Sequence, residues 1–294
     1  MNVTIFSRTP LAAAPWELYK ALRKYTNIEV SYINKTNRYA DGRFFPYHML
    51  LAKSNGACRA AFLKADILHV HNYWFPVLDE FRKGKKVVAQ FHSIPRQLNW
   101  AELMRNADIC YTIRQPLHIQ EYRLPGLPNL LDPDEYLPIR RKGKIKIAFA
   151  PSSRAPITSP QTKGYYEVSK ILNSVAEKRD IEILWIEKMA YNSNLQMKQK
   201  ADILIDDTVT GNWHRTSLEG CAFASAVINK IEMDPFVYSG LKELEATLLD
   251  LIDHPPKLKA AQERARHWIL TKWHPMDLVS AYEEVYKGVL NEKP

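Results

Sequence analysis

The sequence predicts an α/β protein of two parallel-sheet domains, and three observations carry that expectation. Short runs rich in Val, Ile and aromatic residues alternate with helix-like spacers. The alternation restarts after a proline- and charge-rich segment at 127–144, and from about 239 onward the spacing is helical with little strand character. Continuous apolar strands separated by helices indicate a parallel sheet, because strands covered on both faces have no polar side to alternate.

In the first series, NVTIF at 2–6 is a strand and 15–25 a helix entered through Pro15. IEVSYI at 28–33 is a second strand, and helical stretches are expected around 46–54 and 57–64. ADILHVH at 65–71, KVVAQFHS at 86–93 and DICYTI at 108–113 are buried strands. The second series begins with KIKIAFA at 144–150 and a helix from about Gly164 to Ala176. IEILWIE at 181–187, ADILIDD at 201–207, a helix near 214–223 and SAVINK at 225–230 follow. The expected domains are 1–140 and 141–272, with their boundary in the linker near 137–143 and a closing helix at 273–294 packed on the first domain.

Composition narrows the class. With 294 residues, 46% hydrophobic and 25% charged, the chain has enough apolar residues for two cores, which excludes a disordered polymer. Cys58, Cys110 and Cys221 are odd in number and far apart, so free thiols in a reducing cytoplasm are expected. The start MNVTIFSRTP lacks the basic region of a secretory signal, and no run approaches the roughly 18 apolar residues of a membrane span. The net charge of +9 favours anionic partners: nucleotide phosphates, nucleic acid or anionic membrane headgroups. The basic runs at 82–86 and 140–144 read as solvated loops before buried strands.

Ligands of open parallel sheets bind beyond the carboxyl ends of the strands, which directs attention to the segments that follow them. There are ten glycines, none closer than nine residues to the next, so neither G-x-G-x-x-G nor a P-loop can form. Phosphates must then be held by side chains and helix starts. AFAPSSRAPITSPQTKGYYEV at 148–168 provides Ser152, Ser153, Arg154 and Lys163 between a strand and a helix, a planar fork and a point charge able to neutralise a diphosphate. ADILIDDTVTGNWHRTSLEGCAFASAVI at 201–228 offers a helix start as an anion seat. It also holds Glu219 in apolar surroundings, where the carboxylate needs donors: ribose hydroxyls, local backbone or a basic neighbour.

These two segments resemble the donor-binding domain of retaining glycosyltransferases with two Rossmann-like domains facing across a cleft (the GT-B type), close to glycosyltransferase family four. The likeness rests on Arg154 followed by Lys163-Gly164, then Leu218-Glu219-Gly220-Cys221-Ala222 and the small residues Ala224-Ser225-Ala226 before a strand. It covers roughly 145–230, and the segment from Trp273 to Leu290 resembles the family's closing helix, which crosses back to the first domain. Three departures stand out: Gly211 where many members carry a second Glu that contacts the sugar, an insertion around 157–161, and Ser225-Ala226 in place of a glycine.

The resemblance implies transfer of a sugar from a nucleotide-diphosphate donor to a hydroxyl acceptor, with retention, no metal and no cofactor beyond the co-substrate. Donor contacts are expected from Ser153, Arg154, Lys163, Glu187, Gly211, His214, Arg215, Glu219 and Gly220. His92, Arg154 and Lys163 are the expected catalytic set, His92 lying where the family places a His near the reacting sugar. On the acceptor side the resemblance points to Ala13 and Ala14 in the first loop, to His71 and Tyr73 after a strand, and to Arg96. His69, His71 and His92 have spacing that metal sites also use, but two histidines at a sheet end can simply pack, and Asp132-Pro133-Asp134 reads as a turn. Asp206-Asp207 likewise reads as a strand-end turn.

The acceptor is expected to be a glycan, a glycolipid or a hydroxylated DNA base; Arg43, Phe44, Phe45, Tyr73, Trp74 and Arg96 are candidate lining for a nucleic acid. The alternatives are a sugar-nucleotide epimerase or phosphorylase of the same architecture, and a non-catalytic module that binds anionic polymers.

Overall fold

In a computed structural model, which describes residues 1–38, 45–51, 55–95, 100–151, 153–158 and 162–291, the chain starts with β1 (Asn2–Ser7), α1 (Ala14–Tyr25), β2 (Glu29–Asn34) and β3 (Met49–Leu50). It continues through α2 (Asn55–Lys64), β4 (Ile67–His71), β5 (Lys86–Phe91), α3 (Trp100–Asn106), β6 (Ile109–Ile113), α4 (Pro116–Tyr122) and β7 (Gly126–Leu127). The second series is β8 (Ile145–Phe149), α5 (Tyr165–Lys178), β9 (Ile181–Trp185), α6 (Tyr191–Gln199) and β10 (Ile203–Ile205). Then come α7 (Arg215–Ala222), β11 (Ala226–Asn229), β12 (Val237–Tyr238), α8 (Leu244–Asp253) and α9 (Pro255–Thr271), and last α10 (Pro275–Leu278) and α11 (Ser280–Asn291). Two units result: Met1–Asp132 with His274–Pro294, and Pro133–Trp273.

In the first unit the strands pair in parallel in the order β3-β2-β1-β4-β5-β6-β7. Successive side chains alternate between its two apolar faces. Val3, Ile5, Tyr32, Ile67 and Val88 pack with Leu18 and Leu22 of α1 and with Tyr282, Tyr286 and Val289 of α11. Phe6, Ile33, Leu68, Val70, Val87, Ala89 and Phe91 pack on the other side with Cys58 and Phe62 of α2 and Leu103 of α3. The helix expected around 46–54 is corrected: Met49 and Leu50 pair with Ile33 and Asn34 as an edge strand, while 52–54 lie outside the described residues. Edge pairing uses only two residues there, too few to leave a periodic signal.

The loop after β1 has a backbone cost. Leu11, Ala12 and Ala13 have φ of 48°, 53° and 66°, a left-handed stretch built without glycine. For L-residues this costs about 1–2 kcal/mol each. Ala13 is fully buried and its N–H donates to the Pro10 carbonyl at 2.8 Å, which anchors the turn into α1.

The second unit has the strand order β12-β11-β10-β8-β9, again parallel. Ile147, Phe149, Ile203, Ile205, Ala226 and Ile228 face Val168, Leu172 and Val175 of α5, with Leu244 and Leu248 of α8 and Leu258 of α9. Helix α7 lies on the opposite face, and Gly220 allows its close approach: a Cβ there would meet Leu204 Cδ2 at 2.6 Å and Val227 Cγ2 at 2.7 Å. Among the described residues no helix is long and apolar enough to cross a membrane.

Two stability outcomes follow from these backbone positions. Gly220→Ala is expected to lower the unfolding free energy by about 1–3 kcal/mol through overpacking. Ala12→Gly, which relieves a left-handed φ at an exposed side chain, is expected to raise it by a few tenths to about 1 kcal/mol. Urea unfolding midpoints of the two variants check both signs.

Candidate functional site

Each sheet has a point where the strand order reverses, and open parallel sheets bind their ligands beyond the carboxyl ends of the strands there. In the first unit this lies between β1 and β4, and in the second between β8 and β10. The segments that leave those strands carry most of the chemistry found in the sequence.

In the second unit the centre is Asp206, one residue past β10 and fully buried. Its Oδ1 pairs with Lys163 Nζ at 2.5 Å. Its Oδ2 accepts the His214 backbone N–H at 2.8 Å and the Ser217 hydroxyl at 2.6 Å. His214 Nδ1 lies 3.3 Å from Oδ1. Asp206 thus joins the β8–α5 loop to the start of α7, and its negative charge occupies the dipole end that the sequence reading assigned to phosphate. Asp207 forms the expected turn, Oδ1 accepting Val209 N at 2.9 Å and Thr210 N at 2.8 Å. Gly211 follows in that loop with φ of 72°.

Glu219 lies on α7, also buried, with both carboxylate oxygens engaged: Lys198 Nζ of α6 at 2.5 Å and Arg215 Nε at 2.9 Å. Arg215 continues through Nη2 to the Tyr136 hydroxyl at 2.9 Å and the Tyr191 hydroxyl at 3.3 Å. Of the donors considered for Glu219, the structure supplies basic neighbours. Burial lowers the Lys198 pKa despite its partner Glu219, and Lys198 also feels the Lys163–Asp206 pair. Gly220 faces the sheet, where its missing Cβ admits Leu204 and Val227.

Arg154 is placed differently. Its side chain is 61% exposed and held in a fork by Glu187, Nε to Oε1 at 3.1 Å and Nη2 to Oε2 at 2.8 Å. Its guanidinium lies over the Tyr165 ring, 4.8 Å from the centroid. Two of five N–H donors are used by Glu187, so the fork can still grip an anion. Ser153 beside it is exposed. Ser152 and residues 159–161 of the insertion lie outside the described residues. Of the expected donor set, Lys163, His214, Arg215 and Glu219 meet in two linked ion-pair groups, while Arg154 and Glu187 form a third, exposed one.

Sequence reasoning missed Asp206 as a charge partner, Lys198 and Arg141. The basic run at 140–144 is not simply solvated. Arg141 donates to the carbonyls of Phe223 at 2.5 Å and Ala224 at 2.9 Å, at the C-terminal end of α7, where positive charge is favourable.

In the first unit the last residues of three strands, Asn34, Ser7 and His71, lie in register with Gln90, one residue before the end of β5, all fully buried on the face shared with α1 and α11. Asn34 Oδ1 accepts from the hydroxyls of Ser7 and Tyr32. Tyr286 bonds His69 Nδ1 at 2.7 Å, and Gln90 Nε2 donates to the Tyr282 hydroxyl at 3.1 Å. His71 Nδ1 and His92 Nε2 are 2.8 Å apart, a hydrogen bond between the two rings. Tyr73 is half-buried with Arg8 over its ring at 5.4 Å. Ala13 and Ala14 are both buried at the α1 entry. Trp74 is corrected as lining: it is core, its Nε1 donating to Asp79 at 3.0 Å. Arg43, Phe44 and Arg96 lie outside the described residues. Asp132 serves structure, accepting from Lys24 at 2.7 Å and Tyr25 at 2.8 Å.

The Asp206 carboxyl has a pH consequence. Burial by itself pushes it up, and the Lys163 ammonium with His214 outweighs burial, holding it well below the usual carboxylate range. An acid held down in the folded state contributes stability above its unfolded pKa of about 3.9, lost as pH falls through the folded value. Asp206→Asn is expected to cost about 3–5 kcal/mol near neutral pH by leaving Lys163 buried without a counter-ion. The gap to the unaltered protein should narrow below about pH 4. Denaturation series across that range check it; a gap independent of pH would remove Asp206 as a charged partner.

No protein-family model and no curated protein matches the sequence. Solved structures match the fold. An α-glucosyltransferase in complex with UDP and a 13-mer DNA containing a central A:G mismatch has a TM-score of 0.67 at 12% identity, over 99% of this chain and 100% of that one. Sucrose-phosphate synthase from Thermosynechococcus elongatus gives 0.66 at 10% identity, over 99% of both chains. UDP-GlcNAc 2-epimerase from Neisseria meningitidis, bound to UDP-GlcNAc, gives 0.54 at 11% identity, over 99% of this chain and 100% of that one. At such identities the likeness is one of fold: two Rossmann-like units of the GT-B type.

Proposed function

We propose that the protein is a glycosyltransferase that moves a sugar from a nucleotide-diphosphate donor to a hydroxyl acceptor. The observation that carries this reading is Arg154. It is an exposed guanidinium in the loop after β8, held by Glu187, which follows the neighbouring strand β9, and by the Tyr165 ring, with N–H donors to spare. A rigid fork in that position suits a diphosphate, whose charge grows as the sugar departs. Lys163, paired with the buried Asp206, ties the same β8–α5 loop to the start of α7. The fold is shared with an α-glucosyltransferase in complex with UDP, which supports a uridine nucleotide as the first donor to try.

The finer features of the proposal are retention of configuration, a metal-free reaction and no cofactor beyond the co-substrate. All three rest on the resemblance to family four, and fixed cations fit the metal-free reading. For the acceptor we propose a glycan, glycolipid or hydroxylated DNA base. The charge of +9 favours a polyanion or an anionic membrane surface nearby. A sugar-nucleotide epimerase is the second reading, favoured by the shared fold with UDP-GlcNAc 2-epimerase. It predicts isomerised donor with no acceptor present.

A thermal-shift panel of nucleoside diphosphates and nucleotide sugars tests the donor site, since a ligand at 100 times its Kd stabilises by about 2.7 kcal/mol. One nucleotide is expected to raise the melting temperature, and Arg154→Ala to weaken its binding about 10- to 100-fold, as loss of a charged hydrogen bond implies. Arg154 is exposed, so this variant tests binding without disturbing the core. Failure of every nucleotide to stabilise the folded protein, or full binding by Arg154→Ala, would sink the assignment.

A further inference from the structure

His92 follows β5, and its backbone is clamped on both sides. Its N–H donates to Asn72 Oδ1 at 2.6 Å, and its carbonyl accepts from His118 Nε2 at 3.2 Å. The next residue is held too, the Ser93 carbonyl accepting from the Tyr122 hydroxyl at 2.7 Å and its Oγ from Asn72 Nδ2 at 3.2 Å. Asn72 itself has φ of 63°, a strained turn that aims its side chain at this loop. The ring is fixed by one further contact: His92 Nε2 lies 2.8 Å from His71 Nδ1.

His71 is fully buried and stacked on His69 with centroids 4.4 Å apart. Its second nitrogen, Nε2, is enclosed and has no hydrogen-bond partner among the described residues. Two neutral arrangements of the pair are available. In one, His92 Nε2–H donates to His71 Nδ1, and His71 Nε2 must carry an N–H with nothing to accept it. In the other, His71 Nδ1–H donates to His92 Nε2, and only a lone pair is left enclosed. Orphaned buried N–H groups are rare in folded proteins, whereas under-satisfied acceptors are tolerated more readily. Burial keeps both rings neutral: it lowers the His71 pKa strongly and the His92 pKa to about 3, with neighbouring histidines adding to each shift.

We propose that His71 is a positioning residue that fixes His92 as the Nδ1–H tautomer, so that half-buried His92 presents a hydrogen-bond donor, and not a proton acceptor, to a substrate oxygen. The inference rests on the transferase reading for the identity of that substrate, a sugar hydroxyl or the oxygen leaving it. The tautomer itself follows from the dyad alone. A fixed donor suits an oxygen on which negative charge accumulates, and it leaves deprotonation of the acceptor to another group.

The full chain with isotopically labelled histidine ring nitrogens tests this by long-range proton–nitrogen correlation spectra near neutral pH. His92→Gln identifies the His92 signals by their loss. The expected pattern has the proton on His92 Nδ1 and a bare Nε2. A proton on Nε2, or on both nitrogens, overturns the proposal. No donor or acceptor is needed, so an inactive protein with the expected pattern would remove the transfer reading and keep the dyad.

In an active protein, His71→Asn retains an amide donor near the position of Nδ1 and is expected to keep kcat within about threefold. His71→Ala should lower kcat about tenfold with KM little changed, the loss of one hydrogen bond made in the transition state. Equal losses in the two variants would overturn the positioning role. If the alanine variant does not fold, the spectrum of the unaltered protein decides.

Discussion

Asp206 is the constraint on which the second unit depends. A carboxylate taken wholly out of water is tolerated only when its lone pairs are filled, and here Lys163, a backbone N–H and a serine hydroxyl fill them. Those partners come from the loop after β8, from the helix start and from inside that helix. One side chain therefore fixes the relation of three segments at the carboxyl end of the same sheet. Lys163 is held in the process, so its charge acts at a set position rather than as a mobile surface cation.

Helix α7 carries the consequences along its length. Its N-terminal end meets the Asp206 carboxylate, and its C-terminal carbonyls meet two guanidinium groups, Arg141 and Arg266, the latter 2.6 Å from the Ala222 oxygen. Each charge has the sign that the helix dipole favours. Between them Glu219 balances Lys198 and Arg215, and Gly220 lets the whole element lie flat on β10 and β11. The arrangement explains why a short helix with an apolar, glycine-containing core can support so many ionised groups.

Much of the fold was legible because its strands are covered on both faces. KVVAQF and ILHVH declare themselves as continuous apolar runs, and each restart of the pattern is visible without any structure. Lys163 and Glu219 were found through their flanking residues. Their partners were not, for physical reasons. Asp206 meets Lys163 across 43 residues through the pairing of β8 with β10, a relation that strand order sets and local sequence does not. Lys198 lies in YNSNLQMKQ, a polar helix with no marker for a buried lysine. Arg141 was hidden among like charges, and β3 was too brief to leave a period.

The tyrosines of α11 give the first unit an order of assembly. Tyr286 reaches His69 across 217 residues and Tyr282 reaches Gln90 across 192, so the buried polar row at the strand ends is sealed by the last helix of the chain. The second unit is continuous from Pro133 to Trp273 and lies in sequence between the two segments that make up the first. During synthesis from the N-terminus, that second unit has all of its strands and helices before the first has its final wall. Until the wall arrives, the β4–β5 face holds histidine and glutamine side chains against water instead of tyrosine. The first sheet waits longest for completion although it is made first.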